Sequence, residues 1–199
     1  MAVAGRSPKP TLYDAAVRFA SRAISAIGDF FIYYATSVGA RQSATDVNSR
    51  MERLEGFEKM ELTPNWEYVA DRVMGGVSNG RMYHEIYNGH MATVLRGNVS
   101  LDNNGGFIQI AFDLRSDGAG FDASGWDGIA FETCGNNERY DVRFRTEKLT
   151  RPWQSFRTDF VAKSQWRSHK VPFETLEAHK TDARFDPAYL RRIGILAIG

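Results

Sequence analysis

An all-β sandwich or jelly roll, preceded by an amphipathic helix and carrying one short helix near its end, is the fold class this sequence predicts. Beyond about residue 56 the hydrophobic pattern has a period of two, the mark of half-buried strands. The runs are short and divided by turn chemistry: Asn79-Gly80, Asn88-Gly89, Asn103-Asn104-Gly105-Gly106, Asp117-Gly118 and Gly135-Asn136. Many short strands at close spacing belong to sandwiches and jelly rolls rather than to α/β folds.

Residues 1–10 contain Pro8 and Pro10 and read as a mobile terminus. From 11 to 38, Leu12, Ala16, Phe19, Ala23, Ile27, Phe30 and Tyr34 recur at spacings of three or four, which predicts a helix with Thr11 as N-cap. Four uses fit such a segment. It packs on its own domain or a neighbour, it is a targeting peptide rich in Arg, Ser and Ala, it lies in the plane of a membrane surface, or it comes from a misplaced start codon. A secretory signal fits less well, because Asp29 and a tyrosine pair break the apolar stretch before Val38-Gly39-Ala40. Residues 39–56 are polar and read as a linker. A β-sandwich domain is expected over 57–199, with strands at 65–70, 81–87, 91–101, 105–114, 127–134, 139–146, 153–161, 166–171 and 192–198. A short helix is expected at 186–191, where Asp186 caps, Pro187 takes the first position and two arginines sit at the negative end.

The 199 residues carry a formal net charge of +1, which gives no global electrostatic case for nucleic acid. Charge is uneven, with six Arg/Lys against three Asp/Glu in residues 1–50 and nineteen against twenty-one thereafter. Cys134 is the only cysteine, so no internal disulfide forms, in keeping with a reducing compartment. His84, His90, His169 and His179 lack zinc-site spacing. No apolar run reaches the roughly 18 residues of a membrane span. There is no nucleophile elbow and no phosphate-cradling loop, and the glycine pairs precede strands rather than helices. The acids Asp113, Asp117, Asp122 and Asp127 read first as turn formers and second as a calcium site. No cofactor is expected.

Alternation assigns faces. Tyr140, Val142, Phe144 and Thr146 point one way, and Arg139, Asp141, Arg143 and Arg145 the other. With Ile108, Ile110 and Phe112 inside on one strand and Phe156 and Phe160 on another, one sheet gains an outer face carrying Gln109, Asp141, Arg143, Arg145 and Arg157. Such a face is either a solvated, self-paired charge surface or a binding face whose guanidinium forks suit carboxylates and hydroxyls. Trp153 and Trp166 are candidate platforms or core residues.

The most distinctive stretch is 71–78, Asp-Arg-Val-Met-Gly-Gly-Val-Ser. Two readings stand. Asp71, Arg72 and Ser78 tie a loop across the end of the sandwich with Val73 and Met74 as core plugs, or Asp71, Arg72, Met74, Gly75, Gly76 and Ser78 form part of a binding site. The stretch resembles the Asp-x-Val-Met-Gly-Gly-x-Ser signature of the complex I intermediate-associated protein 30 family. Gly97-Asn98-Val99-Ser100-Leu101 with Asn103-Asn104-Gly105-Gly106-Phe107 is similar to the second family signature. Trp126-Asp127-Gly128-Ile129, Tyr140 with Arg143-Phe144-Arg145, Trp166 with Val171-Pro172-Phe173, and Arg192-Ile193-Gly194-Ile195 resemble further family strands. The resemblance covers about residues 56–199, and its wording is closer to bacterial members.

That resemblance implies a galactose-binding-like jelly roll and a non-catalytic role holding subassemblies of respiratory NADH:ubiquinone oxidoreductase. A protein client, complex I subunits, would be bound through the 71–78 loop, the loop with Asn104, Gly105 and Gly106, and the face with Arg143, Arg145 and Arg157. A glycan-binding module using the same sheet is the alternative, with an uncharacterised enzyme third. Exchange of Arg143 and Arg145 for Glu is expected to abolish client capture. Membrane contact is expected to be at most peripheral, through 11–38. The compartment expected is the cytoplasm for a bacterial chain and the mitochondrial matrix otherwise. Family members continue past the Ile-Gly strand into a further strand, so an unpaired edge or an exposed apolar groove is expected where this sequence stops.

Overall fold

The computed structural model describes residues 64–199 and three earlier backbone stretches, 11–18, 30–33 and 59–62. The described chain forms β1 (Thr11–Arg18), β2 (Phe30–Tyr33), β3 (Lys59–Leu62), β4 (Glu67–Ala70), β5 (Asn79–Tyr87), β6 (His90–Val99), β7 (Phe107–Asp113), β8 (Gly128–Gly135), β9 (Arg139–Thr146), β10 (Ser155–Val161), β11 (Arg167–Pro172), β12 (Glu177–His179) and β13 (Leu190–Ile198). One sheet runs β3-β2-β8-β1-β6-β5, with β11 on the other side of β8; the second runs β12-β10-β9-β13-β7-β4. All pairings are antiparallel.

The strands expected from 65 onward form within a residue or two of their expected limits, because alternation and turn chemistry agree there. The helix expected over 11–38 does not form at Thr11–Arg18 or Phe30–Tyr33, and the rest of that span lies outside the described residues. The reason is pairing: β1 lies between β6 and β8, with Ala15 opposite both Leu95 and Gly135. A backbone with partners on both edges is fully hydrogen-bonded as a strand. The Phe-Phe-Ile-Tyr of β2 is aromatic and β-branched throughout, which favours the pleated conformation. Among the described residues no helix is long and apolar enough to cross a membrane.

The second expected helix is a single 3-10 turn, Pro187–Tyr189, capped as anticipated by Asp186, whose side chain accepts from the Ala188 amide at 3.2 Å. It stops early because Leu190 already bridges Phe121 and pairs with Thr146, so Arg191 and Arg192 belong to β13.

The core lies between the sheets. Ile108, Ile110, Tyr140, Phe144, Phe156, Ile193 and Ile195 from one sheet join Leu95, Ile129 and Phe131 from the other in one buried cluster. Each such side chain contributes about 1.5–3 kcal/mol by leaving water. Register follows from these contacts. Phe144 is opposite Phe156 on β10 and Ile193 on β13. A slip of one residue would turn Arg143 and Arg145 into the core, so the register is strongly fixed. β13 is paired on both sides, and the edges of its sheet are β4 and β12.

Candidate functional site

The outer face of the six-stranded sheet floors a groove of about 670 Å³, within the roughly 300–1,000 Å³ of small-molecule pockets. Register lays its floor out in rows across the strands. Arg192 pairs with Arg145 on one side and Asp113 on the other. Two residues on, Gly194 pairs with Arg143 and Ala111. Then Leu196 pairs with Asp141 and Gln109, and Ile198 with Phe107. The six residue steps from Arg192 to Ile198 span about 20 Å. The groove therefore passes from a cationic end, over a floor of small side chains, to an apolar end.

Asp71 closes the apolar end. It opens the 3-10 turn Asp71–Met74 after β4 and is fully buried. Its Oδ1 accepts from the Ser78 amide at 3.0 Å, and its Oδ2 accepts from the Ser78 hydroxyl, from the Gly106 amide at 2.6 Å and from the Phe107 amide at 3.3 Å. The Ser78 hydroxyl in turn accepts from the Ser100 amide at 3.0 Å. One carboxylate thus ties the 71–78 loop to the loop ahead of β7. Burial alone would raise its pKa, but the hydrogen bonds from Ser78, Gly106 and Phe107 outweigh it and hold the carboxyl below the usual value.

Two glycines make room for that carboxylate. A Cβ at Gly76 would lie 2.5 Å from Asp71 Oδ1, and one at Gly105 would lie 2.6 Å from Oδ2. Gly75 is needed for its backbone, with φ at 87° ending the 3-10 turn. The turn lifts Val73 and Met74 out of the sheet to 74% and 56% exposure, where they rim the groove with Leu101.

The cationic end is less completely paired. Arg143 donates to Asp141 at 3.1 Å, and Arg157 approaches the same oxygen at 3.7 Å. Asp141 thereby offsets the repulsion of Arg143 and Arg157, which stand opposite each other. Arg192 is held by Glu67 at 2.7 Å and Asp113 at 3.1 Å. Arg145 reaches only the carbonyls of Leu149 and Arg151, at 3.4 and 3.0 Å, and its buried Nε has no partner among the described residues. The buried Ser155 hydroxyl beside the groove also lacks one there. Burial and then the charges of Arg191 and Arg192 lower the Arg145 pKa, though it stays protonated at any physiological pH. Burial, then Arg143, Arg157 and Lys180, lower that of His179 as well. Among the described residues no Asp or Glu side chain lines the groove.

Of the residues singled out in the sequence, Met74, Gly105, Gly106, Arg143 and Arg145 line the groove. Asp71, Gly75, Gly76 and Ser78 build the loop that closes it. Asn104 lies in the short turn Asp102–Asn104 that precedes it. Arg72 is exposed, and Arg157 shares the sheet face, but neither lines the groove. Val73 and Met74 are rim residues rather than core plugs, because the turn that carries them follows an edge strand. Trp153 lines the groove at 50% exposure. Trp166 precedes β11, which pairs in the opposite sheet, and packs against Tyr87 and His90. The sequence reading missed Lys180, His179 and Arg192. β12 is too short to show alternation, whereas Arg192 was visible within the expected strand 192–198 as the outward neighbour of Gly194, Leu196 and Ile198.

No group of three or more His, Cys, Asp or Glu suited to a metal ion occurs among the described residues. Asp117 and Asp122 make local turn bonds, to the amides of Ala119 and Ser124, as their turn-forming reading expects.

The fold is similar to two solved carbohydrate-binding modules of family 11 from Clostridium thermocellum. One was solved in complex with a β-1,3-1,4-mixed-linked tetrasaccharide; it shares 14% identity and a TM-score of 0.52, over 67% of this chain and 79% of that one. The other belongs to the cellulosomal cellulase Lic26A-Cel5E, at 13% identity and a TM-score of 0.53, over 67% and 78%. These likenesses establish the jelly-roll sandwich. Comparison with curated proteins finds no match. Residues 56–199 match the family described as complex I intermediate-associated protein 30, the stretch that carries both glycine signatures, the Asp71 tie and the whole groove. This chain belongs to the complex I intermediate-associated protein 30 family.

Proposed function

We propose that this protein is a non-catalytic assembly factor that holds subassemblies of respiratory NADH:ubiquinone oxidoreductase in the groove described above. Family membership suggests the assembly role. The observation that carries the location is the groove itself, which joins an exposed aliphatic rim to an arginine-bearing end. Exposed apolar side chains rimmed by charge are the usual make-up of a protein-binding surface. The client docks apolar side chains on Val73, Met74 and Leu101. In a bacterial chain this work is cytoplasmic; in a mitochondrial one it takes place in the matrix.

The test is affinity capture of the tagged full chain from its own organism, with mass spectrometry of what is retained. Recovery of complex I subunits by the wild type, and their loss when Val73 and Met74 are both changed to Ser, is the expected result. A clean capture without those subunits refutes the assembly reading. Glycan binding is the second reading, favoured by Trp153 at the groove wall, since aromatic faces stack on sugar rings. Titration with a mixed-linkage glucan tetrasaccharide tests it.

A further inference from the structure

We infer that the occupant of the groove is an extended peptide segment of about six residues, acidic at one end and apolar at the other. Its carboxylates lie against Arg145 and Lys180, and its apolar side chains against Val73, Met74 and Leu101. This rests on the reading of the groove as a client site and adds the chemistry of the client.

Three observations converge. The first is charge. Among the described residues the groove wall carries the side chains of Arg143, Arg145, Arg192 and Lys180 and none of Asp or Glu. Arg143 and Arg192 are already paired with Asp141, Asp113 and Glu67. Arg145 and Lys180 have no carboxylate within salt-bridge distance among the described residues, so the surplus positive charge sits at these two. The second is unspent hydrogen bonding at the same end. Arg145 Nε and the Ser155 hydroxyl are buried without partners among the described residues, a desolvation cost that a small rotation toward an acceptor in the groove would recover. The third is length and polarity. The row order Arg192, Gly194, Leu196, Ile198 sets the cationic and apolar ends about 20 Å apart, the span of about six extended residues. The small Gly194 and Ala111 between them leave depth for a main chain. A neutral glycan would leave the cations unanswered and set hydroxyls against the aliphatic half, where they lose hydrogen bonds to water.

The test uses the purified full chain and isothermal titration. The probes are the blocked hexapeptide Leu-Val-Leu-Ser-Asp-Glu, its reversed sequence, the same two peptides with Asn and Gln in place of the acids, and the mixed-linkage tetrasaccharide. One acidic peptide should bind at least about tenfold more tightly than its amide twin. Most of that preference should disappear in 0.5 M salt, where the screening length is only about 4 Å. Arg145→Gln should remove it too. Because Arg145 is partly buried, Lys180→Asn is the second variant; residue 180 is exposed and sits at φ 55°, which Asn tolerates. It should reduce the preference severalfold with an unchanged melting curve. Equal binding of acidic and amide peptides, binding of neither, or binding of the tetrasaccharide alone overturns the inference. Capture of complex I subunits alongside such a failure leaves the assembly reading standing. Peptide binding without subunit capture refutes the assembly reading and retains this one.

Discussion

The two ends of the groove are built on opposite principles. At the Asp71 end a buried carboxylate receives four hydrogen bonds from two loops, and glycines are placed so that nothing crowds it. At the Arg145 end a partly buried cation reaches two carbonyls and leaves its Nε unpaired among the described residues. A fully satisfied buried network stiffens a structure, whereas unpaired polar groups cost stability. The contrast teaches that the most distinctive motif of the sequence is architecture. Its buried residues hold up the rim that Val73 and Met74 form, while, among the described residues, buried polar atoms without partners lie across the sheet at Arg145 and Ser155.

The largest break in that contrast is Asp71→Ala. It strands the buried amides of Ser78 and Gly106, and about 3 kcal/mol of stability should be lost. For a domain of this size that is a fall of about 10 °C in melting temperature, measurable by calorimetry or urea denaturation. The rim should loosen with it, so hydrogen exchange at 73–76 and 105–107 should quicken.

Gly76→Ala should cost about 2 kcal/mol by overpacking, and it offers a sharper test through coupling. The atoms nearest its added methyl belong to the Asp71 side chain. In the Asp71→Ala background the clash is gone, so the double variant should be more stable than additivity predicts. Gly105→Ala should not be rescued in this way, because its methyl would also meet the carbonyls of Ser100 and Asp102 at 2.8 and 2.9 Å. Absence of rescue of Gly76→Ala in the Asp71→Ala background would show that the carboxylate is not what this glycine accommodates.

How much of this was legible in the sequence depended on how far apart the cooperating residues lie. The strands from β4 onward, the inward Tyr140, Val142 and Phe144 and the outward Arg143 and Arg145 follow from alternation, a local signal. The Asp71 loop could be singled out, and Asp71 and Ser78 do tie it down, but the partners that matter most, Gly106 and Phe107, belong to another loop and are found only through the topology. The same limit explains the N-terminal error. The apolar spacing in 11–18 suits a helix face, and only the space between β6 and β8 makes it a strand. Trp166 could not be placed for the same reason, since the pairing of β11 with β8 decides its sheet.

Acid separates the knot from the rest of the core. His169 stacks between Phe131 and Phe160, 5.3 and 4.7 Å away, and burial lowers its pKa to about 4. Its unfolded value is about 6.5, so between those values the unfolded chain binds more protons and stability falls as pH falls. With its partial exposure discounted, the loss is on the order of 2 kcal/mol. Asp71, depressed below its unfolded value of about 3.9, keeps its contribution above that pH and loses it as pH drops through the folded value. Urea melts from pH 7 to 3 should therefore show two descending stretches. His169→Gln should flatten the upper one and leave the lower, and the part of the lower stretch lost in Asp71→Ala belongs to the Asp71 tie, the remainder to other depressed carboxylates such as Asp117 and Asp186.

The smallest effect on stability should come from Lys180→Asn, and it is the most discriminating. Lys180 is exposed and makes no hydrogen bond or salt bridge among the described residues, so its loss should shift unfolding by no more than about 0.5 kcal/mol. If the Arg145 end were merely a solvated charge surface, nothing else would change, because isolated surface charges contribute little. If that end is kept under-paired for a client, removing one of its two unmatched cations should slow association and reduce its dependence on salt, since a rim charge acts mainly on the encounter rate. Stopped-flow binding of the acidic hexapeptide at two salt concentrations reads both quantities. A variant as stable as the wild type, but slower to bind and less sensitive to salt, separates a groove that spends stability on recognition from a knot that spends its polar groups on stability.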